Sequence, residues 1–278
     1  MKKTLPLVSV IITTYNRYNF VFEAINSVLN QTYKPIELII IDNGSTDGTT
    51  DHLITTDNYQ VIKQNHTGMP GQVKNKGVDI SSGEFVAFLD SDDLWLPRKL
   101  EKQLNQLIHG NFQVNHTREQ WLRNGKIVSQ KSQRHKKEGD IFLDSLKKCI
   151  IGPSTVVIAR KIFLNLGGFR EDLEIVEDYE LWLRLTAQHP VSYLEEELVI
   201  KQAGHEDQLS KRYNHIEVFR LRSLKQLIDQ NIFNQSQAHQ ASQELIRKAK
   251  IYAAGCRKRG KQEEAKYFEK LLINYQEI

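Results

Sequence analysis

The chain has 278 residues, of which 40% are hydrophobic and 26% are charged, with 15 Gly and 6 Pro. These proportions match folded soluble proteins and exclude collagen-like, low-complexity and disordered chains. At roughly 150 residues per domain, the length predicts one large domain or two small ones. No stretch of about 18 uninterrupted apolar residues is present and no signal-peptide pattern follows Lys2 and Lys3, so we expect neither a membrane span nor a secretory leader.

The cysteines and the charge distribution indicate a compartment and a partner surface. Cys149 and Cys256 are too few for a disulfide framework and lack metal-ligand spacing, which favours a reducing, cytoplasmic setting. The net charge of +4 is uneven, because residues 211–278 hold 14 Lys and Arg against 7 Asp and Glu. Such a basic tail suits peripheral association with an anionic membrane, but an ordinary solvated helix face explains it as well. We expect no nucleic-acid partner.

The first hundred residues alternate apolar runs with amphipathic segments. Predicted strands cover residues 7–12, 37–41, 59–63 and 84–89, and predicted helices cover residues 20–30, 48–54, 71–80 and 97–108. This alternation is typical of an α/β fold with a Rossmann-like, mostly parallel sheet flanked by helices. Polar residues follow three of the strands directly, at 13–16, 42–44 and 90–93, where open parallel sheets bind their ligands.

The rest of the chain departs from this pattern. Residues 121–129, with Asn124-Gly125 at the centre, predict a hairpin that extends the sheet. Further predicted elements are a helix at 140–148, a strand at 155–159, a helix at 179–188 and short strands at 191–194 and 198–202. From about residue 213 the chain is predicted to be helical throughout. We therefore predict one domain over residues 1–212, with halves 1–105 and 106–212, and a helical C-terminal extension over 213–278.

Three carboxylates, Asp90, Asp92 and Asp93, stand within four residues at the end of a predicted strand. Two such charges about 4 Å apart repel by roughly 4 kcal/mol at an effective dielectric near 20. A divalent cation relieves this repulsion, and oxygen ligands favour Mg²⁺ or Mn²⁺ together with substrate phosphates. A solvated turn in which Asp93 caps the next helix would explain the same residues without a ligand.

Other nucleotide and metal motifs are incomplete. Residues 42–48 have good turn chemistry, but Gly44 stands where a calcium loop needs a ligand. Residues 68–76 lack the Gly-Lys-Ser/Thr of a P-loop, and no Gly-x-Gly-x-x-Gly follows the first strand. These gaps disfavour P-loop kinases and dinucleotide-binding enzymes.

Seven short motifs in the first two thirds of the chain form a set. They are residues 8–17 (VSVIITTYNR), 27–32 (SVLNQT), 41–49 (IDNGSTDGT), 75–77 (NKG), 83–84 (GE), 88–93 (FLDSDD) and 177–182 (EDYELW). Together they resemble the family 2 glycosyltransferases of GT-A fold, over roughly residues 5 to 205. Two positions depart from the family pattern, since Thr13 stands where Pro is usual and Asn43 where a second Asp is frequent.

The resemblance implies that the first half of the chain binds a nucleotide diphosphate sugar. Tyr15 would pack on the base of the donor with Thr13 beside it, and Asp42 would accept a hydrogen bond from that base. Asn75 would lie where a loop closes on the donor, and Lys74 could reach a phosphate.

The resemblance also implies a metal site and a catalytic base. Asp90 and Asp92 would form the DxD motif, Asp90 holding ribose or metal-bound water and Asp92 binding Mn²⁺ or Mg²⁺, with His205 as a third metal ligand. Asp178 would be the catalytic base. Successive helix residues diverge by about 100°, so Glu177 cannot face the same hydroxyl and is assigned to substrate binding. The dipole of a helix favours acids at its N-terminus, which would explain Glu177 and Asp178 without a catalytic role. An ordinary histidine in a surface loop would explain His205 without a metal.

The predicted function is transfer of a sugar from a nucleotide diphosphate sugar, with a UDP-sugar favoured, to an acceptor hydroxyl with inversion. The expected acceptor is a glycan or a lipid-linked sugar in cell-surface polysaccharide or glycolipid synthesis. The expected location is the cytoplasm, at the inner face of the membrane. One alternative is a noncatalytic nucleotide-sugar or glycan-binding protein on the same scaffold. Another is a sugar nucleotidyltransferase, which should carry a Gly- and Lys/Arg-rich loop in place of residues 13–17.

Overall fold

One nine-stranded sheet runs through the part of the chain that the structure describes. This computed structural model describes residues 5–128, 137–204, 213 and 215–275. The strands are β1 (Val8–Thr14), β2 (Ile36–Asp42), β3 (Gln60–Lys63), β4 (Phe85–Asp90), β5 (Asp93–Trp95), β6 (Val114–Arg123), β7 (Lys126–Val128), β8 (Val157–Ala159) and β9 (Ser192–Ala203). Their order across the sheet is β3-β2-β1-β4-β8-β6-β9-β5, and β7 pairs with β6.

The four strands predicted in the first hundred residues form the parallel half of this sheet, β3-β2-β1-β4. β1, β2 and β4 are rich in Val, Ile and Phe and are buried on both faces, as is typical of parallel strands. The register places Thr14 opposite Asp42 and Thr13 opposite Asp90. The polar residues that end these strands therefore meet at one edge of the sheet.

The remaining strands extend the sheet in mixed directions. β8 runs antiparallel to β4 and to β6, while β6 and β9 run parallel with register shifts near Thr117 and Arg118. β6 and β7 form the predicted hairpin, in which Asn124 and Gly125 have φ of 50° and 72°. Positive φ at both central residues is what a two-residue I′ turn requires. β5 completes the far edge by pairing antiparallel with β9.

Helices cover both faces of the sheet. They are α1 (Tyr18–Leu29), α2 (Thr49–His52), α3 (Pro70–Asp79), α4 (Lys99–Gly110), α5 (Phe142–Lys147), α6 (Arg160–Asn165), α7 (Glu177–Thr186), α8 (Ile216–Asp229), α9 (Gln235–Lys258) and α10 (Gln262–Asn274). α1 and α4 pack on one face against Val10 and Ile12 of β1, and α3, α6 and α7 pack on the other face around Ile11 and Phe88. Within the described ranges, no helix is both long enough and apolar enough to cross a membrane.

The three C-terminal helices, α8 to α10, share a hydrophobic core with α5 and α7. Leu224, Leu245 and Phe268 of these helices pack in one cluster with Tyr179 and Leu183 of α7. The C-terminal helices therefore cover α7 directly. The domain boundary predicted after residue 212 adjoins residues 205–212, which lie outside the described part of the chain, and it stays a prediction.

Several elements differ from the sequence prediction. β5 and α6 were not predicted, because three and six residues are too short to show a clear period. The strands predicted at 191–194 and 198–202 form one strand of 12 residues, β9, whose exposed Glu195 and Glu196 interrupt the apolar pattern. Asp93 begins β5 and does not cap the next helix, which starts at Lys99.

Lys99 is a buried lysine at the start of α4. Its side chain is fully buried, and its Nζ lies 3.8 Å from the centre of the Trp95 ring and 2.6 Å from Gln103 Oε1. Burial disfavours the charged ammonium and lowers the pKa of Lys99 well below its usual value of 10.5. At a pH between the lowered pKa of Lys99 in the folded protein and the usual lysine pKa in the unfolded chain, the unfolded chain binds one proton more than the folded chain. The free energy of unfolding therefore rises with pH in this range.

We expect Lys99→Met to remove this pH dependence. As the pH rises towards the usual lysine pKa of 10.5, the free energy of unfolding of the unmodified protein should rise with pH more steeply than that of the variant, by at most about 1.4 kcal/mol per pH unit. Urea denaturation at several pH values measures both proteins. Parallel pH profiles would contradict a depressed pKa at Lys99.

Candidate active site

An open cleft of about 850 Å³ lies beyond the carboxyl ends of β1 and β4. Its lining comes from the loops that follow these strands, from α3, from the start of α7, from β9 and from α8. Open parallel sheets bind ligands outside this edge. The cleft therefore occupies the position where the sequence predicts a ligand site.

Seven of the ten residues predicted to form the site line this cleft. They are Thr13, Tyr15, Lys74, Asp90, Asp92, Glu177 and Asp178. Asp42 and Asn75 are buried outside the lining. His205, the predicted third metal ligand, lies outside the described residues. The fold thus brings together residues from four separate segments of the chain.

Asp42 and Asn75 bind neighbouring loops. The fully buried Asp42 carboxylate accepts hydrogen bonds from the backbone N–H of Ser45 at 3.2 Å and from its hydroxyl at 2.6 Å. The Asn75 amide donates to Phe169 O at 2.8 Å and to Glu171 Oε1 at 3.0 Å, and it accepts from Phe169 N at 2.9 Å. In this structure both side chains fix loops beside the cleft, and their predicted contacts with a donor stay predictions.

Tyr15 presents an aromatic ring at one end of the cleft. Its side chain is 40% exposed, and its ring stacks on His66 with centroids 3.8 Å apart and planes inclined by 19°. His66 Nδ1 lies 3.1 Å from Asn43 O, which fixes the ring. Since the two rings are in van der Waals contact, a nucleobase would stack on the outer face of Tyr15 or displace His66. No sequence pattern pointed to His66, which stands in a polar loop.

The acidic turn after β4 is fixed by Ser154 and Lys201. Ser154 Oγ accepts from Asp90 N at 3.2 Å and donates to Asp93 Oδ2 at 2.6 Å, and Lys201 Nζ lies 3.4 Å from the same Asp93 oxygen. Burial raises the pKa of Asp93 to about 7; Lys201 opposes this shift, while Asp90 and Asp92 add to it. Asp93 is therefore an internal anchor of the turn. Neither Ser154 nor Lys201 was predicted, because β9 and the turn before β8 approach Asp93 only in the folded chain.

Asp90, Asp92 and Asp93 of this turn all line the cleft, and Asp93 is the one already engaged by Ser154 and Lys201. Burial, followed by repulsion from Asp90, raises the pKa of Asp92, although Arg17 Nε lies 3.9 Å from Asp92 Oδ2 and opposes the shift. Among the described residues, no group of three or more Asp, Glu, His or Cys is placed to hold a metal ion. Two carboxylates that repel each other nevertheless supply the oxygen donors that Mg²⁺ and Mn²⁺ prefer when substrate phosphates complete the shell. Asp90 and Asp92 therefore fit a cation bound jointly with a diphosphate.

The first two residues of α7 diverge, as helix geometry requires. Glu177 is buried, and its Oε1 lies 2.6 Å from Lys74 Nζ of α3. Asp178 is partly exposed, and Cys149 Sγ donates to its Oδ2 at 3.4 Å. Val176, just before the helix, has φ of 64°, which is unusual for a β-branched residue and turns the chain into α7. Asp178 is thus the more accessible carboxylate of the pair.

Lys74 and Glu177 form a buried ion pair. Burial opposes the charge on Lys74, but attraction to Glu177 and then to Asp90 raises its pKa above the usual value. We expect Lys74→Met to lower the free energy of unfolding by about 3–5 kcal/mol, because it leaves Glu177 buried without its cation. The double variant Lys74→Met/Glu177→Gln should recover most of this loss in urea denaturation. Additive losses in the double variant would show that the two residues are not coupled.

The C-terminal part of the chain also contributes to the cleft, through Ile216 and Arg220 of α8 and through Tyr213 just before this helix. Arg220 of α8 donates through Nη1 to Glu217 Oε1 at 2.6 Å, and its guanidinium lies 5.6 Å from the centre of the Tyr179 ring. Arg220 was not predicted to belong to the site, because residues 213–278 were expected to form a separate extension. Only the packing of α8 on α7 brings this residue to the site.

Sequence comparisons relate the chain to known glycosyltransferases. It is 31% identical over 188 residues to the UDP-Glc:alpha-D-GlcNAc-diphosphoundecaprenol beta-1,3-glucosyltransferase WfgD of Escherichia coli, which covers 67% of this chain and 72% of WfgD. It is 35% identical over 193 residues to the putative teichuronic acid biosynthesis glycosyltransferase TuaG of Bacillus subtilis, over 68% of this chain and 75% of TuaG. The chain spans only 28–65% of the length of five uncharacterized glycosyltransferases from Rickettsia species that are 32–34% identical to it.

Solved structures share the fold. TarS 1–349 of S. aureus, in complex with UDP-GlcNAc, superposes with a TM-score of 0.73 at 22% identity, covering 96% of this chain and 79% of that one. The mannosyltransferase PcManGT of Pyrobaculum calidifontis, in complex with GDP-Man and Mn²⁺, superposes with a TM-score of 0.61 at 16% identity, covering 97% and 87%. These likenesses confirm the predicted GT-A type of α/β fold. The family model for glycosyl transferase family 2 matches residues 9–167, more than half of the chain. The chain therefore belongs to glycosyl transferase family 2.

Proposed function

We propose that this protein is an inverting, metal-dependent glycosyltransferase that moves a sugar from a nucleotide diphosphate sugar to an acceptor hydroxyl. The main support for this proposal is that Asp90, Asp92 and Asp178 all line one cleft at the carboxyl edge of the parallel strands. A UDP-sugar is the favoured donor, since the name of WfgD specifies UDP-Glc and TarS binds UDP-GlcNAc. Both proteins share the family or the fold of this chain.

On the donor side, the base would pack on the exposed ring of Tyr15, with Thr13 at its edge. Asp90 and Asp92 would hold Mg²⁺ or Mn²⁺, which supplies positive charge to the leaving diphosphate. The complex of PcManGT with Mn²⁺ supports this assignment. His205 stays a proposed third ligand. Asn75 would act by fixing the loop at Phe169 beside the donor.

On the acceptor side, Asp178 would remove the proton from the attacking hydroxyl as a general base. Its partial exposure gives it access to the cleft, and the Cys149 thiol fixes the orientation of its carboxylate. Lys74 holds the neighbouring Glu177 in an ion pair, so Glu177 does not compete for the same proton. A single base that acts opposite the leaving diphosphate produces the inverted anomer.

The proposed acceptor is a glycan or a lipid-linked sugar of cell-surface polysaccharide or glycolipid synthesis. The name of WfgD gives a diphosphoundecaprenol-linked sugar as its acceptor, and the name of TuaG gives teichuronic acid biosynthesis as its role. α9 and α10 expose basic and apolar side chains together, including Lys250 with Ile251 and Lys270 with Ile273. Such a surface suits an anionic leaflet, which supports a proposed location in the cytoplasm at the inner face of the membrane.

A panel of nucleotide sugars tests this function. The purified protein is incubated with each donor, with Mn²⁺, Mg²⁺ or EDTA, and with alkyl-linked sugars as acceptors. We expect cation-dependent release of a nucleoside diphosphate for one donor. Binding without turnover would favour a noncatalytic binding protein. In a separate incubation with a nucleoside triphosphate and a sugar 1-phosphate, release of inorganic diphosphate would favour a sugar nucleotidyltransferase.

A further inference from the structure

We infer that Arg220 of α8 binds a phosphate group of the acceptor, so that the C-terminal helices select acceptors whose sugar is carried on a phosphate or diphosphate. This inference rests on the proposed function, because it assigns the acceptor side of the same cleft. It concerns a residue outside the segment that the family model matches, residues 9–167.

Arg220 does not have a carboxylate partner to itself. Its partner, Glu217, is shared with Lys248, whose Nζ lies 3.1 Å from Glu217 Oε2. One carboxylate therefore serves two cations. The Arg220 side chain is only 21% exposed, and its buried Nε has no hydrogen-bond partner. Because an under-paired buried guanidinium is costly, a bound anion would stabilise this arrangement.

Every cation of the described lining has an acidic neighbour. Arg17 lies beside Asp92, Lys74 beside Glu177, Lys201 beside Asp93 and Arg220 beside Glu217. Arg220 differs in that its acid also pairs with a second cation, Lys248.

Arg220 enters the cleft from α8, and its guanidinium lies 5.6 Å from the centre of the ring of Tyr179, the residue that follows Asp178. Burial opposes the charge on Arg220, but Cys149, Glu217 and Asp178 raise its pKa. A group bound at Arg220 therefore lies in the same cleft as Asp178.

The guanidinium of Arg220 is chemically suited to a phosphate group. A guanidinium presents planar, paired donors that match phosphate oxygens, which distinguishes it from a lysine ammonium. A sugar carried on a phosphate or diphosphate has such oxygens next to the ring whose hydroxyl reacts. Arg220 can then hold the anionic carrier while Asp178 meets the hydroxyl. A sugar carboxylate is the competing source of negative charge.

Calorimetry tests the binding step without any transfer. Decyl diphosphate is titrated into the full chain saturated with UDP and Mn²⁺, so that the donor side is already filled. We expect Arg220→Gln to weaken this binding by about 10-fold or more, the effect of one charged hydrogen bond, and Arg220→Lys to weaken it less. Arg222→Gln is the matched control, because Arg222 is exposed on the same helix and its loss changes the net charge equally.

Equal affinities in the Arg220 and Arg222 variants, absence of decyl diphosphate binding, or tighter binding of glucuronate would each overturn the inference. Thermal denaturation checks that the Arg220 variants fold, and Arg220→Lys preserves the charge beside Glu217. In transfer assays, Arg220→Gln should raise the KM for a diphosphate-linked sugar and abolish its advantage over the same sugar on an uncharged alkyl chain. A failure of UDP itself to bind would count against the proposed function and is measured separately.

Discussion

Asp178→Asn should reduce the turnover of sugar transfer by about 10²- to 10⁴-fold, the usual effect of losing a general base. Asparagine preserves the shape of the side chain but cannot accept the acceptor's proton. The affinity for UDP should be retained, because Asp178 lies on α7 and the donor side is built from the loops after β1 and β4. Steady-state kinetics and calorimetry with UDP measure the two effects.

The controls for this result come from the same segment of the chain. Asp172→Asn makes the same chemical change in a side chain that is 66% exposed, and its turnover should be unaltered. Glu177→Gln should reduce turnover less than Asp178→Asn does, although it breaks the ion pair with Lys74 and lowers the free energy of unfolding. NMR of the product should show the inverted anomer. A retained anomer, or a larger defect at Glu177, would contradict the assignment of the base.

Asp92→Ala should abolish the cation-dependent part of donor binding. Even residues that only support a metal ligand change metal affinity by about 10- to 100-fold, so we expect loss of a direct ligand to exceed 10-fold. The fold should be unaffected, because Asp92 lies beyond the end of β4 and its side chain is 19% exposed. Calorimetry with UDP, in Mn²⁺ and in EDTA, measures the effect.

Asp57→Ala is the matched control for this variant, since Asp57 is exposed in the loop before β3. It should bind UDP with the same dependence on Mn²⁺ as the unmodified protein. UDP binding by Asp92→Ala that is of normal strength and insensitive to EDTA would remove Asp92 from the metal site.

The parallel half of the sheet could be predicted because its signals are local. Strands such as β1 and β4 are continuous apolar runs, and the polar residues that follow them mark the edge where the cleft lies. Asp90, Asp92 and Asp178 could be identified because each stands within a short motif. All three line the cleft.

Features that depend on distant packing could not be predicted. Lys201 meets Asp93 only through the pairing of β9 with β5, and Arg220 reaches the cleft only through the packing of α8 on α7. Asp42 stands in a motif yet is buried, because Ser45, three residues later, folds back onto its carboxylate. The motifs therefore predicted which residues lie in or beside the cleft. The hydrogen bonds of the folded chain determine which of these side chains line it.

Because α8 to α10 pack over α7, the order of synthesis determines when α7 becomes buried. These helices leave the ribosome after α7, so Tyr179 and Leu183 lack their packing partners until α8 to α10 have emerged. The nascent chain can complete its parallel strands earlier than the wall that carries Arg220. Sugar transfer should therefore begin only after these helices have folded onto α7. A ribosome that stalls within α9 would present an apolar surface to chaperones and proteases.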